Sequence, residues 1–332
     1  MTDNSNHRAV PDTMAAIAID RFGGADELKV QTLPVPKPGP DEVLIKVHTA
    51  GVGVWDPPDR EGALAKMRDT KPSFPYILGR DGAGTIASVG ERVTQLQEGD
   101  RVYAYGPSDP QANLYAQYAT ANIKNVAPVP ESLGFREAGV LPTDGVTALC
   151  GLERALNLQA GETLLVFGAS GGLGHLAVQL AKRMGVQVSA IASGEDGVAL
   201  AQKLGADAAV DGHKDEMITV AQAAAPDGFD AALLCAGGET ADRALALVRE
   251  GGRAAYPHGV TPEPKGPPEI TIQAYNGEAS AEIFEKLNHL INAGPFTVHI
   301  SHTFPLSEAA EAHRMLEEHF LGRIALDCTF SH

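Results

Sequence analysis

The glycine-rich segment between Gly161 and Lys182 constrains the fold of this chain more than any other feature of its sequence. An apolar run ends at Phe167, and a helical pattern begins near Gly172. Apolar residues then recur at the spacing of one helix face: Leu173, Leu176, Ala177, Leu180, Ala181 and Met184. A strand, a tight turn and a helix in this order typically bind a dinucleotide, because the helix N-terminus presents free N–H groups and a positive dipole end to the pyrophosphate.

Two glycines of this turn have distinct expected roles. Gly171 leaves room where the backbone must approach a pyrophosphate, and Gly174 lets the helix pack closely on the strand. The first glycine of the usual GxGxxG pattern is Ala169 here, so the short pattern is weak by itself and gains weight from the strand and helix around it. A tight turn that binds nothing is the alternative. We predict a cofactor-binding turn that contains Ala169, Ser170, Gly171, Gly172, Leu173 and Gly174.

The segments around this turn predict an α/β protein. Strand-like runs separated mostly by helical stretches favour a doubly wound parallel sheet: Thr163–Phe167, Val188–Ala192, Ala208–Asp211, Ala231–Cys235, Arg253–Tyr256 and Ile270–Gln273. From Met14 to about Val129, short runs between Pro and Gly residues predict a β-rich region: Ala15–Ile19, Glu42–His48, Thr85–Val89 and Arg101–Tyr105. Helices are expected at Ala279–Asn292 and Ser307–His319, the second capped by Ser307, before a closing strand near Arg323–Cys328.

Length, charge and cysteine usage exclude several classes of protein. A chain of 332 residues is long enough for two domains, and it has no apolar run of membrane-spanning length. The net charge of −16 disfavours nucleic acid as a partner. Three scattered cysteines without a CxxC pair argue against a disulfide framework or a cysteine zinc site, and they favour a cytoplasmic location. Residues 1–13 are polar, which predicts a disordered leader or a cloning remnant rather than a signal peptide.

The residue that reads the cofactor ribose is expected near the end of the second strand, about 20 residues after the turn. That position is Ala192-Ser193, which lacks the carboxylate that would repel a 2′-phosphate. We therefore predict NADPH as the cofactor, with the Ser193 hydroxyl donating a hydrogen bond to the 2′-phosphate. NADH is the alternative cofactor. The preference should be weak, because no Lys or Arg lies between Arg183 and Lys203.

Several further motifs show a family resemblance over roughly residues 14–330. These motifs are Phe22-Gly23-Gly24, Pro38 to Leu44, Gly79 to Gly84, Gly99 to Val102 and Gly145 to Ala148. With these motifs and the segment Gly161 to Lys182, the chain resembles the quinone oxidoreductase and zeta-crystallin branch of the medium-chain dehydrogenases. The resemblance implies a Rossmann dinucleotide-binding domain at residues 136–275. It also implies a GroES-like, β-rich catalytic domain formed by residues 1–135 and 276–332, with the nicotinamide ring in the cleft between them.

The same resemblance argues against a metal. Zinc-dependent relatives place their ligands at three points, which carry Gly53, Arg80 and Thr143 here. None of these is a good zinc ligand, so no metal site is expected. Without a Lewis acid to stabilise an alkoxide, the favoured reaction is hydride transfer to a quinone or an α,β-unsaturated carbonyl. The alternatives are an enoyl-thioester reductase and a crystallin-like protein that binds the cofactor without turnover.

The resemblance also supplies candidate site residues. Asp56 matches the family's active-site Asp, Thr147 matches a Thr beside the nicotinamide, and Tyr256 follows the fifth strand, where backbone groups would meet the carboxamide. Asp56 could instead be a turn residue, and Thr147 could cap a helix. Other family positions differ here. The Lys and Tyr that hold a 2′-phosphate are Gly197 and Gly212, and the Asn and two Tyr of the quinone pocket are Gly53, Pro58 and Leu64.

The last expectations concern histidines and assembly. His48, His175 and His313 are expected to be surface or core residues rather than catalysts. Residues 270–275 would form the outermost strand of the parallel sheet, and they contain no Lys or Pro to protect a free edge. We predict a homodimer that pairs this edge across a twofold axis, unless the stretch Pro262–Pro268 covers it.

Overall fold

The computed structural model describes residues 10–67, 69–106 and 113–329. The strands of this part are β1 (Thr13–Ile19), β2 (Lys29–Pro34), β3 (Glu42–Val52), β4 (Tyr76–Ile77), β5 (Asp81–Val89), β6 (Arg101–Tyr105), β7 (Tyr118–Asn122), β8 (Val126–Pro128), β9 (Thr163–Phe167), β10 (Gln187–Ala192), β11 (Ala208–Asp211), β12 (Phe229–Leu234), β13 (Val248–Pro257), β14 (Thr271–Tyr275), β15 (Ile300–Pro305) and β16 (Arg323–Asp327). The α-helices are α1 (Asp56–Arg60), α2 (Ala63–Met67), α3 (Phe135–Gly139), α4 (Pro142–Cys150), α5 (Gly172–Arg183), α6 (Gly194–Lys203), α7 (Met217–Ala224), α8 (Glu239–Leu245), α9 (Ala281–Asn292) and α10 (Ala309–Met315).

A six-stranded parallel sheet carries the glycine-rich turn. Its strand order is β11-β10-β9-β12-β13-β14, and all neighbouring strands run parallel. The strands form because their residues are apolar enough to be covered on both faces, and Leu164, Leu165 and Val166 of β9 are fully buried. The chain leaves β9 toward β10 on one side and later returns to β12 on the other. A crevice is therefore expected at the carboxyl ends of β9 and β12. The prediction of a doubly wound sheet is confirmed.

The β-rich part of the chain forms a second, mixed sheet. Its order is β15-β16-β3-β5-β6-β8, and β7 also pairs with β3. Because β15 and β16 come from the C-terminal end of the chain, both chain ends build this sheet. A small sheet of order β2-β1-β4 shares its apolar cluster with the mixed sheet, and β1 also bonds the segment just before β7. The prediction of a β-rich region is confirmed, although the bounds 1–135, 136–275 and 276–332 remain predictions.

Two sequence-based expectations were wrong in their details. Ser307 does not cap a helix, because residues Leu306–Glu308 form a 3₁₀ turn with Leu306 buried, and α10 begins only at Ala309 with Glu308 as its cap. This helix also ends at Met315 rather than His319. The leader does not extend to residue 13, since Thr13 belongs to β1 and pairs with Pro34. Residues 1–9 of the expected leader lie outside the described residues.

Candidate functional site

The glycine-rich turn has the backbone geometry that a phosphate group requires. Gly168 leaves β9 with a φ of +78°, a conformation that favours glycine, and Gly171 caps α5 in extended conformation. A Cβ added at Gly171 would meet only the carbonyl oxygen of Gly168, 3.6 Å away. A Cβ at Gly174 would lie 2.2 Å from the same oxygen. Gly174 therefore permits close packing, as predicted, while Gly171 faces open space at a twelve-residue helix N-terminus, which fits a pyrophosphate.

His175 fixes the shape of this turn from within. The backbone N–H of His299 donates to Nε2 of His175 at 3.2 Å, so the ring proton is on Nδ1, which donates to the carbonyl oxygen of Gly171 at 2.8 Å. Burial lowers the pKa of His175 to about 4, and the ring is neutral at physiological pH. This histidine is a core residue that holds the Gly171 carbonyl away from the phosphate position.

The end of β10 shows why residue 197 is a glycine. A Cβ on Gly197 would lie 2.9 Å from Oγ of Ser170, so the first turn of α6 packs against the glycine-rich turn. The backbone N–H of Ser193 donates to the same Oγ at 3.3 Å. A lysine at position 197 could not enter without displacing Ser170. The predicted ribose reader Ser193 therefore lies beside the turn, with its own hydroxyl not engaged as a helix cap.

Three basic side chains beyond position 203 lie near this ribose end. Nδ1 of His213, which follows β11, is 2.9 Å from Oδ1 of Asp211, and Nζ of Lys214 is 4.0 Å from Oε1 of Glu195. Nε2 of His319 lies 3.0 Å from Oδ2 of Asp196. His213 and Lys214 are distant from Ser193 in sequence, but β11 lies beside β10, so the loop after β11 starts at the same edge of the sheet.

The other two predicted cofactor contacts lie at the same side of the sheet. The hydroxyl of Thr147 packs against the backbone of Gly277, where an added Cβ would be 2.3 Å from Oγ1. The ring of Tyr256 is buried in an apolar cluster, so only the backbone of Tyr256 is available to a ligand. Cys235, which follows β12, was missed: its Cβ lies 3.2 Å from the Cβ position of Gly168. Its position directly after a parallel strand could have identified it, because ligands bind at the carboxyl ends of such strands.

Asp56 is a fully buried carboxyl at the start of α1, just after β3. Its Oδ2 accepts hydrogen bonds from the backbone N–H of Gly53 at 2.8 Å and from the hydroxyl of Tyr115 at 2.9 Å. Its Oδ1 has no partner among the described residues. Burial raises the pKa of Asp56 to about 6, although the Gly53 hydrogen bond and the charge of Arg80 oppose the rise. Asp56 stabilises the turn that begins at Gly53, as expected for a turn residue, and its Oδ1 has no hydrogen-bond partner among the described residues.

A chain of hydrogen bonds fixes the orientation of this carboxyl. Nη1 of Arg60 lies 3.0 Å from Nδ1 of His313, and Nε2 of His313 lies 3.3 Å from the hydroxyl of Tyr115. Because a guanidinium can only donate, Nδ1 accepts and Nε2 carries the proton. The Tyr115 hydroxyl then accepts a hydrogen bond from Nε2–H of His313 and donates its own proton in a hydrogen bond to Oδ2 of Asp56. Burial lowers the pKa of His313 to about 3, so this core histidine stays neutral.

The three positions that correspond to zinc ligands come together, but they form another kind of site. A Cβ on Gly53 would lie 2.3 Å from the ring of Trp55, which covers this position. The backbone N–H and Oγ1 of Thr143 donate to Oδ1 of Asp81 at 2.8 and 2.5 Å. Arg80 is 8% exposed. No group of three or more His, Cys, Asp or Glu side chains is placed to hold a metal in residues 10–67, 69–106 and 113–329.

A buried arginine links this cleft to the cofactor turn. Nη2 of Arg323 donates to Oδ2 of Asp81 and Nη1 to Oδ2 of Asp144, both at 2.6 Å. The guanidinium also stacks 5.0 Å from the ring of Trp55. A Cβ on Gly172 would lie 2.3 Å from Oδ2 of Asp144, so this cluster contacts the first residue of α5. The only hint in the sequence was a lone arginine at the start of an otherwise apolar strand.

These features define a class of protein. A glycine turn suited to a dinucleotide and a buried carboxyl with one unpartnered oxygen fit a nicotinamide-dependent oxidoreductase built from a doubly wound sheet and a mixed β-sheet. Residues 39–142 match the alcohol dehydrogenase GroES-like domain, and residues 172–273 match the domain described as zinc-binding dehydrogenase.

Curated relatives resemble the chain over most of its length. A quinone oxidoreductase of Mus musculus is 33% identical over 318 residues, which are 90% of this chain and 93% of that protein. An NADPH-dependent alkenal/one oxidoreductase of Arabidopsis thaliana, which is chloroplastic, is 33% identical and covers 96% of this chain and 80% of its own length.

Solved structures show the same architecture. A quinone oxidoreductase from Coxiella burnetii superposes with a TM-score of 0.81 at 27% identity, covering 95% of this chain and 99% of that one. An NAD-dependent alcohol dehydrogenase superposes with a TM-score of 0.85 at 26% identity, with the same coverage. The chain belongs to the medium-chain dehydrogenase/reductase family, in its zinc-independent, quinone oxidoreductase-like branch. It is a pyridine-nucleotide-dependent oxidoreductase with a GroES-like and a Rossmann part. No helix in the described ranges is long and apolar enough to cross a membrane.

Proposed function

We propose that this oxidoreductase transfers hydride from NADPH to a quinone or an α,β-unsaturated carbonyl compound without a metal. The observation that carries the proposal is a buried carboxyl oxygen without a hydrogen-bond partner, Oδ1 of Asp56, next to the Arg323 cluster that contacts the first residue of α5. The names of the mouse and Arabidopsis relatives support the same substrate class.

The backbone of the turn would hold the cofactor. The N–H groups of Gly172 and Leu173 lie at the start of α5, where a pyrophosphate would be stabilised, while the N–H of Gly171 donates to the carbonyl oxygen of Gly168 at 3.2 Å. Ser170, Thr147 and the backbone of Tyr256 complete the proposed contacts. When bound, a reduced nicotinamide supplies the hydride. Ala192 and Ser193 lack the acid that selects NADH, and Lys214 places one cation near the ribose end, 4.0 Å from Oε1 of Glu195. We therefore expect NADPH to be preferred weakly, with NADH also accepted.

Asp56 would supply the proton that follows the hydride. Since Oδ2 already accepts two hydrogen bonds, a proton on this carboxyl resides on Oδ1, which faces no protein partner in the described ranges. A carboxyl with a pKa raised to about 6 keeps part of its population protonated near neutral pH. Its transfer to the reduced oxygen of a quinone, or to an enolate, completes the reduction.

A spectrophotometric screen tests the proposed function. The purified protein is mixed with NADPH or NADH and with a panel of quinones, enones and enoyl thioesters, and cofactor oxidation is followed by absorbance. We expect consumption with at least one quinone or enone and none with saturated ketones. Spectral perturbation of NADPH without consumption by any acceptor would contradict the proposal and would favour a protein that binds the cofactor without turnover. Exclusive use of thioesters would favour an enoyl-thioester reductase.

We also propose a homodimer through strand β14. This strand pairs with β13 on one side, and its other backbone edge ends the sheet. The side chains of Ile270 and Ile272 are not free, since a Cβ on Gly266 would lie 3.0 and 2.7 Å from their Cδ1 atoms. The stretch Pro262–Pro268 therefore covers side chains of Ile270 and Ile272. In the described residues, its one backbone–backbone hydrogen bond toward this strand runs from the N–H of Ile270 to the carbonyl oxygen of Pro267.

Light scattering tests this assembly. We expect a dimer mass at micromolar concentration, and Thr271→Glu on the exposed edge should weaken it through repulsion between like charges. Thr32→Glu, on the edge strand β2 of another sheet, is the matched control. A monomeric wild type would refute the homodimer.

We further propose a cytoplasmic location, because Cys150, Cys235 and Cys328 are all free thiols.

A further inference from the structure

Arg80 is a buried cation with unused hydrogen-bond donors. It is 8% exposed, and its Nε and Nη2 have no hydrogen-bond partner among the described residues. An unsatisfied buried donor typically costs about 1–3 kcal/mol, and more when it is charged. Most buried polar groups are therefore paired, and an exception needs an explanation. A guanidinium cannot escape the cost by losing its proton, because its pKa exceeds 12 in proteins.

The neighbouring carboxylates are already engaged with other groups. Asp81 accepts from Thr143 and from Arg323, and Asp144 accepts from Arg323. Asp56 accepts from Gly53 and Tyr115 through Oδ2, and only its Oδ1 is open. Arg80 is close enough to Asp56 for its charge to act on that carboxyl, yet it donates no hydrogen bond to it. The protein therefore leaves one donor pair and one acceptor unpaired in the same part of the cleft.

The two free donors have a defined geometry. Nε–H and one N–H of Nη2 lie in the guanidinium plane and point the same way along one of its edges. This arrangement suits an oxygen that accepts from both. Trp55 adds a further buried donor without a described partner, Nε1, from the residue next to Asp56. A ligand that fits must present an oxygen acceptor to the arginine, and a neutral carbonyl that becomes negative in the reaction fits best.

We propose that Arg80 binds the carbonyl oxygen of the substrate through Nε and Nη2 and stabilises the oxyanion that hydride addition creates. The inference rests on the proposed reduction of quinones or enones. As hydride adds to the carbon β to the carbonyl of an enone, the C=C electron pair moves to the bond between Cα and the carbonyl carbon, and the C=O pair moves onto oxygen. Arg80 holds this negative oxygen, and the proton from Asp56 then neutralises the product. The guanidinium thus supplies charge stabilisation without a metal.

Two variants, a matched control and a chemical rescue separate this role from a structural one. Arg80→Gln removes the charge and the paired donors, whereas Arg80→Lys keeps the charge but loses the paired geometry. Arg92→Gln is the matched control, because Arg92 is an exposed arginine that pairs with Asp41. Loss of one oxyanion donor typically lowers kcat about 100- to 1,000-fold. We expect a fall in this range for Arg80→Gln, a smaller one for Arg80→Lys and none for the control, with unchanged NADPH affinity in all three. Guanidinium ion at millimolar concentration should restore part of the activity of Arg80→Ala.

A binding measurement tests the same contact without turnover. Trp55 is the only tryptophan of the chain, so its fluorescence reports on the cleft. We titrate 4-nitrophenolate, a stable oxyanion, and expect Arg80→Gln to bind it at least tenfold more weakly than wild type and the control. Equal binding, or turnover within twofold of wild type in both Arg80→Gln and Arg80→Lys, would overturn the role of Arg80. Loss of turnover confined to substrates that carry a carboxylate would also overturn it. If wild type oxidises no cofactor with any acceptor, the proposed function fails, and the nitrophenolate titration still decides whether Arg80 binds an oxyanion.

Discussion

Gly171 and Gly174 lie in one turn, yet the structure predicts opposite consequences for changing them. Gly171→Val places a branched side chain in open space, because the Cβ position meets only one oxygen at 3.6 Å, and the extended backbone there accepts any residue. The fold should remain intact. The new methyl groups would occupy the space in front of the helix N-terminus, so affinity for the nicotinamide cofactor should fall at least tenfold, which is about 1.4 kcal/mol.

Gly174→Ala is the matched comparison. Its Cβ would lie 2.2 Å from the carbonyl oxygen of Gly168 and 2.7 Å from Cα of Ala169, so α5 must shift away from the turn. Overpacking of this kind typically costs about 1–3 kcal/mol. For a domain of about 150–250 residues, each kcal/mol lowers Tm by about 2–4 °C. Calorimetry and cofactor titration on both variants separate the effects. Wild-type cofactor affinity in a folded Gly171→Val protein would refute the location of the cofactor.

The remaining predictions concern proton transfer, cofactor choice and acid stability. If Asp56 donates its proton from Oδ1, kcat should decline as pH rises above about 6, and Asp56→Asn should lose most activity together with this pH dependence; an unchanged profile in the variant would exclude Asp56 as the donor. Ala192→Asp should reverse a preference for NADPH by repelling the 2′-phosphate, measured as the ratio of kcat/KM values, and a wild type that strongly prefers NADH would show that another group reads the ribose. The pKa of His175 is lowered to about 4, so its contribution to stability is complete above about pH 6.5 and is lost as pH falls toward 4. Between pH 7.5 and 5 wild type should lose about 2 kcal/mol more than His175→Gln in urea unfolding, and equal losses would contradict a buried neutral ring.

The sequence predicted the strands that are covered on both sides and missed those that are exposed. The bounds of Thr163–Phe167 and Ala208–Asp211 match β9 and β11, because apolar runs between turns identify such strands. Strands β2 and β15 carry mostly exposed or half-buried polar residues, and their hydrogen bonds to β1 and β16 are invisible in local composition. The 3₁₀ turn before α10 depends on the burial of Leu306, which a helical pattern alone does not reveal.

The candidate site divides in the same way. The glycine turn was predictable because its chemistry is local: every part of it lies within a short stretch of the chain. Arg323 and Asp81 are 242 residues apart, and His313 and Tyr115 are 198 residues apart, so only the fold brings them together. Gly197 was read as the loss of a phosphate ligand. The structure adds a packing reason, which is the contact that any side chain there would make with Ser170.

The Arg323 cluster connects the two halves of the site physically. Burying an ion pair seldom adds stability over an apolar core, so a triad of one arginine and two aspartates needs another reason to be there. Arg323 extends from β16 to Asp81 of β5 and Asp144 of α4, and Asp144 in turn contacts Gly172 at the head of α5. The side chains of Arg323 and Asp81 are 4% and 0% exposed, so little water reaches this cluster, and burial raises the pKa of Asp81 to about 7 against the charge of Arg323. Because Arg323 neutralises Asp81, the carboxylate next in sequence to Arg80, Arg80 is left without a partner in the cleft. The buried triad thus ties the head of α5 to the second sheet and leaves Arg80 and Oδ1 of Asp56, the groups proposed to act on the substrate, without a hydrogen-bond partner in the described residues.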